Sequence, residues 1–244
     1  MRRLLVCAAL FAGAQPAFAQ GGWTGTARAS VNVGTQLDTA RLSESITLEK
    51  YVEPTPITAE LPKKSLTFFD GGIAVRLAGS LGVGVAISYL TDTDSAAVAA
   101  DIPHPFFFKR PRRISGQVAN VLRKELATHI NAVYVIASRR IDLTLSGGAS
   151  LFSVEQDFVT DVTFTETYPY DTASFATAAL TRATASKTGF NAGADVTWKI
   201  ADTWGIGGLL RYSRADVPFT AGGLDVGTVE AGGLQAGAGL RLIF

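Results

Sequence analysis

Leu234-Gln235-Ala236-Gly237-Ala238-Gly239-Leu240-Arg241-Leu242-Ile243-Phe244 separates into two sets when read in steps of two. Phe244, Leu242, Leu240, Ala238, Ala236 and Leu234 form one set, continued upstream by Gly232. Ile243, Arg241, Gly239, Gly237, Gln235, Gly233 and Ala231 form the other. Successive side chains of a strand point to opposite faces. One face here is therefore apolar, and the other is small or polar with a charge in its middle. A strand half-buried in a soluble core puts large apolar groups on one side and a uniformly wet face on the other. A glycine-rich polar face suits a narrow polar lumen, with lipid on the apolar side. The segment, ending on its own aromatic, reads as the closing strand of a transmembrane β-barrel.

The same test succeeds upstream. Phe190, Ala192, Ala194, Val196, Trp198 and Ile200 alternate with Gly189, Asn191, Gly193, Asp195, Thr197 and Lys199. After the short Ala201-Asp202-Thr203 turn, Trp204, Ile206, Gly208, Leu210 and Tyr212 alternate with Gly205, Gly207, Leu209, Arg211 and Ser213. Trp198 and Trp204 flank that turn, where an interfacial aromatic girdle belongs. Similar segments start at Ile141, end at Ile136, start at Leu81 and end at Leu77, and a weaker one runs from Trp23 to Val33. With the first three, these make eight crossings, each near the ~10 residues that a tilted strand needs. Short links fall near 78–80, 137–140 and 201–203, and long polar ones near 35–65, 92–124, 155–187 and 214–228. Short periplasmic turns with long outer loops are the expected asymmetry. Ser45 to Tyr51 and Phe158 to Thr167 alternate too, but are too polar for lipid and are expected to rise above the bilayer. If one such pair entered the membrane, the barrel would have ten strands.

The N-terminus offers a route to that membrane. Met1-Arg2-Arg3 is a basic start, Leu4 to Ala14 an apolar stretch, and Ala17-Phe18-Ala19 a cleavage site. These features define a removable signal peptide over residues 1–19 and a barrel domain over 20–244. Cys7 lies too early to belong to a lipobox, and it is the only cysteine. The mature chain would then lack disulfides and Cys-based metal sites. The net charge of +1 becomes −1 without Arg2 and Arg3, so no overall charge points to nucleic acid.

This alternation, with the terminal strand ending in Phe244, resembles the small outer-membrane β-barrel family of OmpA-type barrels, OmpW, OmpX and opacity proteins. The resemblance is one of pattern over the whole mature chain. It implies that Leu240, Leu242 and Phe244 are read by the barrel assembly machinery, and that the protein is a monomer of the outer membrane of a Gram-negative cell. Unlike full-length OmpA, no peptidoglycan-binding domain is expected after the barrel.

The inward faces collect Arg28, Arg76, Lys199, Arg211 and Arg241 with Asp70, Glu125, Asp142 and Asp195, and His129 among them. At about eight strands the lumen is just wide enough for side chains. Buried charges must pair, and the near balance of signs favours a plug of ion pairs over a porin-like channel. Asp195 and Arg211, on adjacent strands, are the expected close pair. The second outer segment carries Phe106-Phe107-Phe108-Lys109-Arg110-Pro111-Arg112-Arg113, with six basic residues and one acidic between Asp101 and Lys124. These side chains either contact phosphates or acidic sugars of lipopolysaccharide at the outer leaflet, with Arg suited to bidentate contact, or the rings cap the barrel mouth. Tyr168-Pro169-Tyr170-Asp171 reads as a rigid turn, with a sugar-binding platform as its functional alternative. Lipid-modifying enzymes exist on such barrels, but only His104 and His129 are present, with no nucleophile at a required spacing. No catalytic residue, cofactor or metal site is expected, and the function expected is a non-enzymatic one in the cell envelope.

Overall fold

The computed structural model describes residues 25–37, 43–62 and 65–244. The signal segment and Trp23 lie outside them. Among the described residues there are ten antiparallel strands and no helix. They are β1 (Ala27–Leu37), β2 (Ser43–Lys50), β3 (Glu53–Glu60), β4 (Ser65–Ala78), β5 (Leu81–Ile102), β6 (Arg112–Ala137), β7 (Ile141–Glu166), β8 (Ala173–Lys199), β9 (Trp204–Ala221) and β10 (Leu224–Ile243). Eight of them close a ring in the order β1-β4-β5-β6-β7-β8-β9-β10, back to β1. Closure pairs Val31 with Leu240 and Asn32 with Gly239. No strand edge is then left facing lipid, where an unsatisfied amide is costly. The β2–β3 hairpin is outside the ring and pairs through Ile57–Glu60 with Ala97–Ala100 of β5. The described residues thus form ten strands, and eight of them make the barrel wall.

The outward set of each crossing is apolar and exposed, as on Val31 (67%), Ile73 (62%) and Leu240 (57%). Its inward set is buried. Trp198 pairs with Ile141 and Ile206, and Trp204 with Leu242, which places a girdle beside the short turns. A second girdle lies at the other end, where Phe69 pairs with Tyr89 and the Phe190 and Tyr212 rings stand 6.1 Å apart. Two such belts bound the lipid-facing band of a barrel.

Beyond the second girdle the structure departs from the expectation of long loops. Strands continue through most of those segments among the described residues, with turns at residues 51–52, 103–111, 167–172 and 222–223. On β5, β7 and β9 the strand phase is unchanged, but the polarity of its two faces inverts; β6 and β10 also slip phase, at Asn120 and at the Asp225/Gly227 irregularity. On β7 the inward side goes from Asp142, Thr144, Ser146 and Ser150 to Phe152, Val154 and Phe158, and the outward side from Ile141 and Leu143 to Ser153 and Glu155. On β9 it goes from Gly205 and Arg211 to Val217 and Phe219. Where lipid gives way to water, apolar surface is driven inside.

This crown is built from separate ribbons. The β6–β7 ladder stops at Arg123↔Gln156 and the β8–β9 ladder at Phe190↔Arg214, while β5–β6, β7–β8 and β9–β10 pair on to their tips. The ribbons meet through an apolar core that includes Ile57, Val98, Ile114, Val154, Val217 and Val229, with the Phe158 and Phe219 rings 4.9 Å apart. Gly116 admits the Phe175 ring where β6 passes β8, since any Cβ there would lie inside the ring. Of Phe158–Thr167, all but Thr167 is therefore an extension of β7, as expected, whereas Ser45–Tyr51, expected to be another such extension, belongs to a separate hairpin.

Candidate functional site

The lumen within the lipid band is filled by polar side chains in successive layers. Nearest the short turns, Asp142 is fully buried and accepts from Arg28 Nη2 at 2.6 Å, Lys199 Nζ at 3.0 Å and the Ser138 amide at 3.0 Å. Above it Asp195 holds Arg241, with Nε donating to Oδ1 at 3.0 Å and Nη2 to Oδ2. Higher still, Asp70 accepts from Arg211 Nη2 and, at 2.9 Å, from Asn32. Arg211 Nε donates to Gln235 at 2.8 Å, Gln235 to Gln36 at 2.6 Å, and Gln36 to the Gly232 carbonyl at 2.8 Å. The Gly232 amide donates to Glu125 at 3.0 Å, and Arg123 is 3.5 Å from the same carboxylate. His129 sits between Ser88 Oγ at 3.0 Å and Ser150 Oγ at 2.7 Å, and Asn191 donates to Ser150 at 3.0 Å.

Of the expected inward residues, Arg28, Asp70, Glu125, His129, Asp142, Asp195, Arg211 and Arg241 all lie in this interior. Arg76 does not; it is exposed at the end of β4 near the Gly79 turn, where the wall opens to water. The expected Asp195–Arg211 pair is also corrected. Arg211 stands opposite Gly193, and Asp195 opposite Leu209. Arg241 instead reaches Asp195 across β9 and over Gly207, where a Cβ would meet the Val196 carbonyl at 2.6 Å and the Arg241 Nε at 2.9 Å. A lumen glycine leaves room for the pair. Arg123 joins the network although its segment reads as loop in the sequence.

The polar layers are closed at both ends. Val133 and Val135, packed with Ala74, and the buried Ile243 lie toward the short turns. Phe68, Leu66 and Leu90 lie above, followed by the crown core. Between the layers is a cavity of about 110 Å³ lined by Arg28, Asn32, Asp70, Asn131, Asp195 and Arg211, among others. Where the β8–β9 ladder ends, a recess of about 420 Å³ lies at Leu151, Phe152 and Ser186 to Thr188. No group of three or more metal-ligating side chains occurs among the described residues.

In the crown, Glu44 of β2 is buried against β7, where it accepts from Gln156 Nε2 at 2.9 Å. Burial pushes its carboxyl up to about 7, against the hydrogen bonds from Gln156 and the Val159 amide that favour the charged form. Phe106, Phe107 and Phe108 are exposed at the tip, and the mouth is capped instead by the crown core. Arg112 is buried and bonded to Glu166, Tyr170 and Pro103. Arg110 pairs with Asp171 at 3.3 Å, Arg113 with Asp101 at 3.9 Å, and the Lys109 amide donates to Glu53. Glu166 and Asp171 of the β7–β8 ribbon thus answer Arg112 and Arg110, two of the bases that look unbalanced in the sequence. The tip also stands about 13 residues along β5 beyond Tyr89, roughly 43 Å of strand path. At a 35–45° tilt it lies about 30 Å above the girdle, out of reach of lipid phosphates.

No protein-family model and no curated protein sequence matches the chain. Solved structures do. OprG of Pseudomonas aeruginosa matches with TM-score 0.51 at 11% identity, over 91% of this chain and 97% of that one. The fold is that of the small outer-membrane β-barrels. Neisserial surface protein A (TM-score 0.44, 10% identity, 89% and 97% covered) and the protease OmpT of Escherichia coli (0.48, 8%, 92% and 99%) also match. The fold supports an outer-membrane location for this chain.

Proposed function

We propose that the protein is a non-enzymatic barrel of the Gram-negative outer membrane, delivered there by a signal peptide cleaved after Ala19. Its lumen is closed and its crown makes contacts at the cell surface. The observation that carries this reading is the double seal, a buried ion-pair network with an apolar core stacked above it. An ion crossing the barrel would have to break pairs such as Asp70–Arg211, then traverse a largely apolar crown core in which Glu44 and Gln156 are already bonded to each other, and bare charges in such surroundings cost several kcal/mol each. The His129–Ser88 and His129–Ser150 contacts have the residue types of a hydrolytic dyad. All three side chains are nearly or fully buried beneath that seal, which supports a packing role. The outer-leaflet lipid surrounds the apolar band, and the barrel assembly machinery is the proposed reader of Leu240, Leu242 and Phe244.

Planar-bilayer recording tests the reading. The purified protein should give no steady current. A stable ion-selective conductance would replace the closed barrel with a narrow porin, and lipid A altered only in cells carrying the protein would restore an enzyme.

A further inference from the structure

The tips of three ribbons meet at the top of the crown and are tied before any ligand arrives. Arg112 is the hub: Nη1 donates to Glu166 Oε2 at 2.6 Å and to the Tyr170 carbonyl at 2.9 Å, and Nη2 to the Pro103 carbonyl at 2.7 Å. Tyr51 at the β2–β3 turn donates to Glu166 Oε1 at 2.6 Å. That bond raises the Tyr51 pKa above its usual value, because it holds the proton on the phenol. Between these tips is a cavity of about 240 Å³ lined by Tyr51, Val52, His104, Pro105 and the rings of Phe106 to Phe108. Phe106 is steadied edge-on by Tyr170, with centroids 5.6 Å apart.

Two features of this cup ask for a ligand. Phe106 and Phe107 leave 71% and 56% of their surface exposed on loops that are otherwise stapled down, beyond what Phe106 packs against Tyr170 and Phe107 against His104 and the Arg110 guanidinium. His104 is 3% exposed, and its Nδ1 accepts the Phe106 amide at 3.1 Å. The ring proton therefore sits on Nε2, which is buried and has no acceptor. An orphaned buried donor carries the full cost of its lost hydration.

We propose that this cup binds a neutral saccharide unit. The face of an aromatic ring is negative, so it attracts the polarised C–H face of a pyranose. A hydroxyl or acetamido oxygen of the same ring then accepts from His104 Nε2–H. Charge argues against an anionic ligand: Arg110, Arg112 and Arg113 all face carboxylates. The stapled loops make binding cheaper, since little remains to be ordered. This inference deepens the surface-contact reading and rests on it.

The experiment is saturation-transfer NMR on the full chain in phosphocholine micelles, which contain no sugar headgroup. The probes are methyl β-glycosides of glucose, galactose, N-acetylglucosamine and N-acetylgalactosamine, with a sulfated disaccharide as the anionic comparison. At least one neutral glycoside should bind through its ring C–H protons. F106A/F107A should weaken it by about tenfold or more, and H104F by about tenfold, the equivalent of one hydrogen bond. The two phenylalanines are exposed, so F106A/F107A should keep the heat-modifiable gel shift of the folded barrel and decide the matter even if H104F fails to fold. Absence of glycoside binding, or binding untouched by F106A/F107A, overturns the proposal. Binding of the sulfated sugar alone, abolished at ~0.5 M salt, overturns it as well by assigning the tip to an anion held through charge. None of these results bears on conductance, so a failed cup leaves the closed barrel standing.

Discussion

Replacing Glu44 by Gln should remove a pH dependence that the parent crown carries. Glu44 links the β2–β3 hairpin to Gln156 of β7, and its carboxyl titrates at about 7 when folded against 4.5 when exposed. A raised folded value means that hairpin docking is fully stable below pH 4.5 and loses stability as the pH rises through 7. A tenfold change in proton affinity is worth about 1.4 kcal/mol, so the full penalty is roughly 3 kcal/mol. Between pH 5 and pH 8 the linkage relation leaves about 2.5 kcal/mol, or about 50- to 100-fold in the opening equilibrium. Hydrogen exchange reads this directly at the amides of β2 and β3, which pair Ile46 with Ile57 and Leu48 with Thr55. After correction for intrinsic rates, protection in the parent should fall by that factor over the range. In Glu44→Gln it should be flat and high, because the amide adds a donor near Gln156 Oε1, a buried acceptor with no other partner. The Lys50–Asp161 pair and the Tyr51–Glu166 bond remain in both proteins, so the difference isolates the one carboxyl. Equal slopes in the two proteins, or a flat parent, would refute the argument.

Three further perturbations test the interior. Arg211→Met strands Asp70 in the lumen and should cost about 3–5 kcal/mol in urea unfolding, most of it recovered by Asp70→Asn in the same chain; no recovery would mean that packing, not charge, was lost. Gly207→Ala should destabilise by about 1–3 kcal/mol, because a Cβ there would meet the Val196 carbonyl at 2.6 Å as well as the Arg241 guanidinium at 2.9 Å, and Arg241→Ala in the same chain should recover only the part owed to the guanidinium; a loss that vanished completely with Arg241→Ala would show that the backbone contact carries none of it. Phe244→Asp, on an exposed outward face, should leave more unassembled periplasmic protein than Ile243→Ala, which faces the lumen; similar defects at both positions would reject the assembly role of the outward face.

The wall is legible in the sequence because a crossing strand has a strict period of two and two different solvents. Leu240, Leu242 and Phe244 against Arg241 and Ile243 read correctly, as do Trp198 and Trp204 at the girdle. The crown is not legible as strand to a test that requires a polar inward face. On β9, Val217 and Phe219 occupy the same inward phase as Arg211 and Ser213, yet their outward neighbours are Asp216 and Thr220. A scan that allowed the polarity to invert once per strand would extend β5, β7 and β9 to their tips, whereas β6 also needs the phase slip at Asn120.

Partner choice inside the lumen is illegible for a different reason. Adjacent strands suggest Asp195 with Arg211, but a barrel of eight strands is narrow enough for a long side chain to cross a neighbour or the lumen itself. Arg28 on β1 meets Asp142 on β7, and Arg211 on β9 meets Asp70 on β4. Neither pair shares a ladder. What decides such contacts is which inward positions are left empty, as Gly207 is left for Arg241. Gly207, one of the glycines that mark the polar face as a tight lumen, therefore has a second role. The Arg241 guanidinium passes over it, and the Arg241–Asp195 pair depends on that space as much as on the charges it joins.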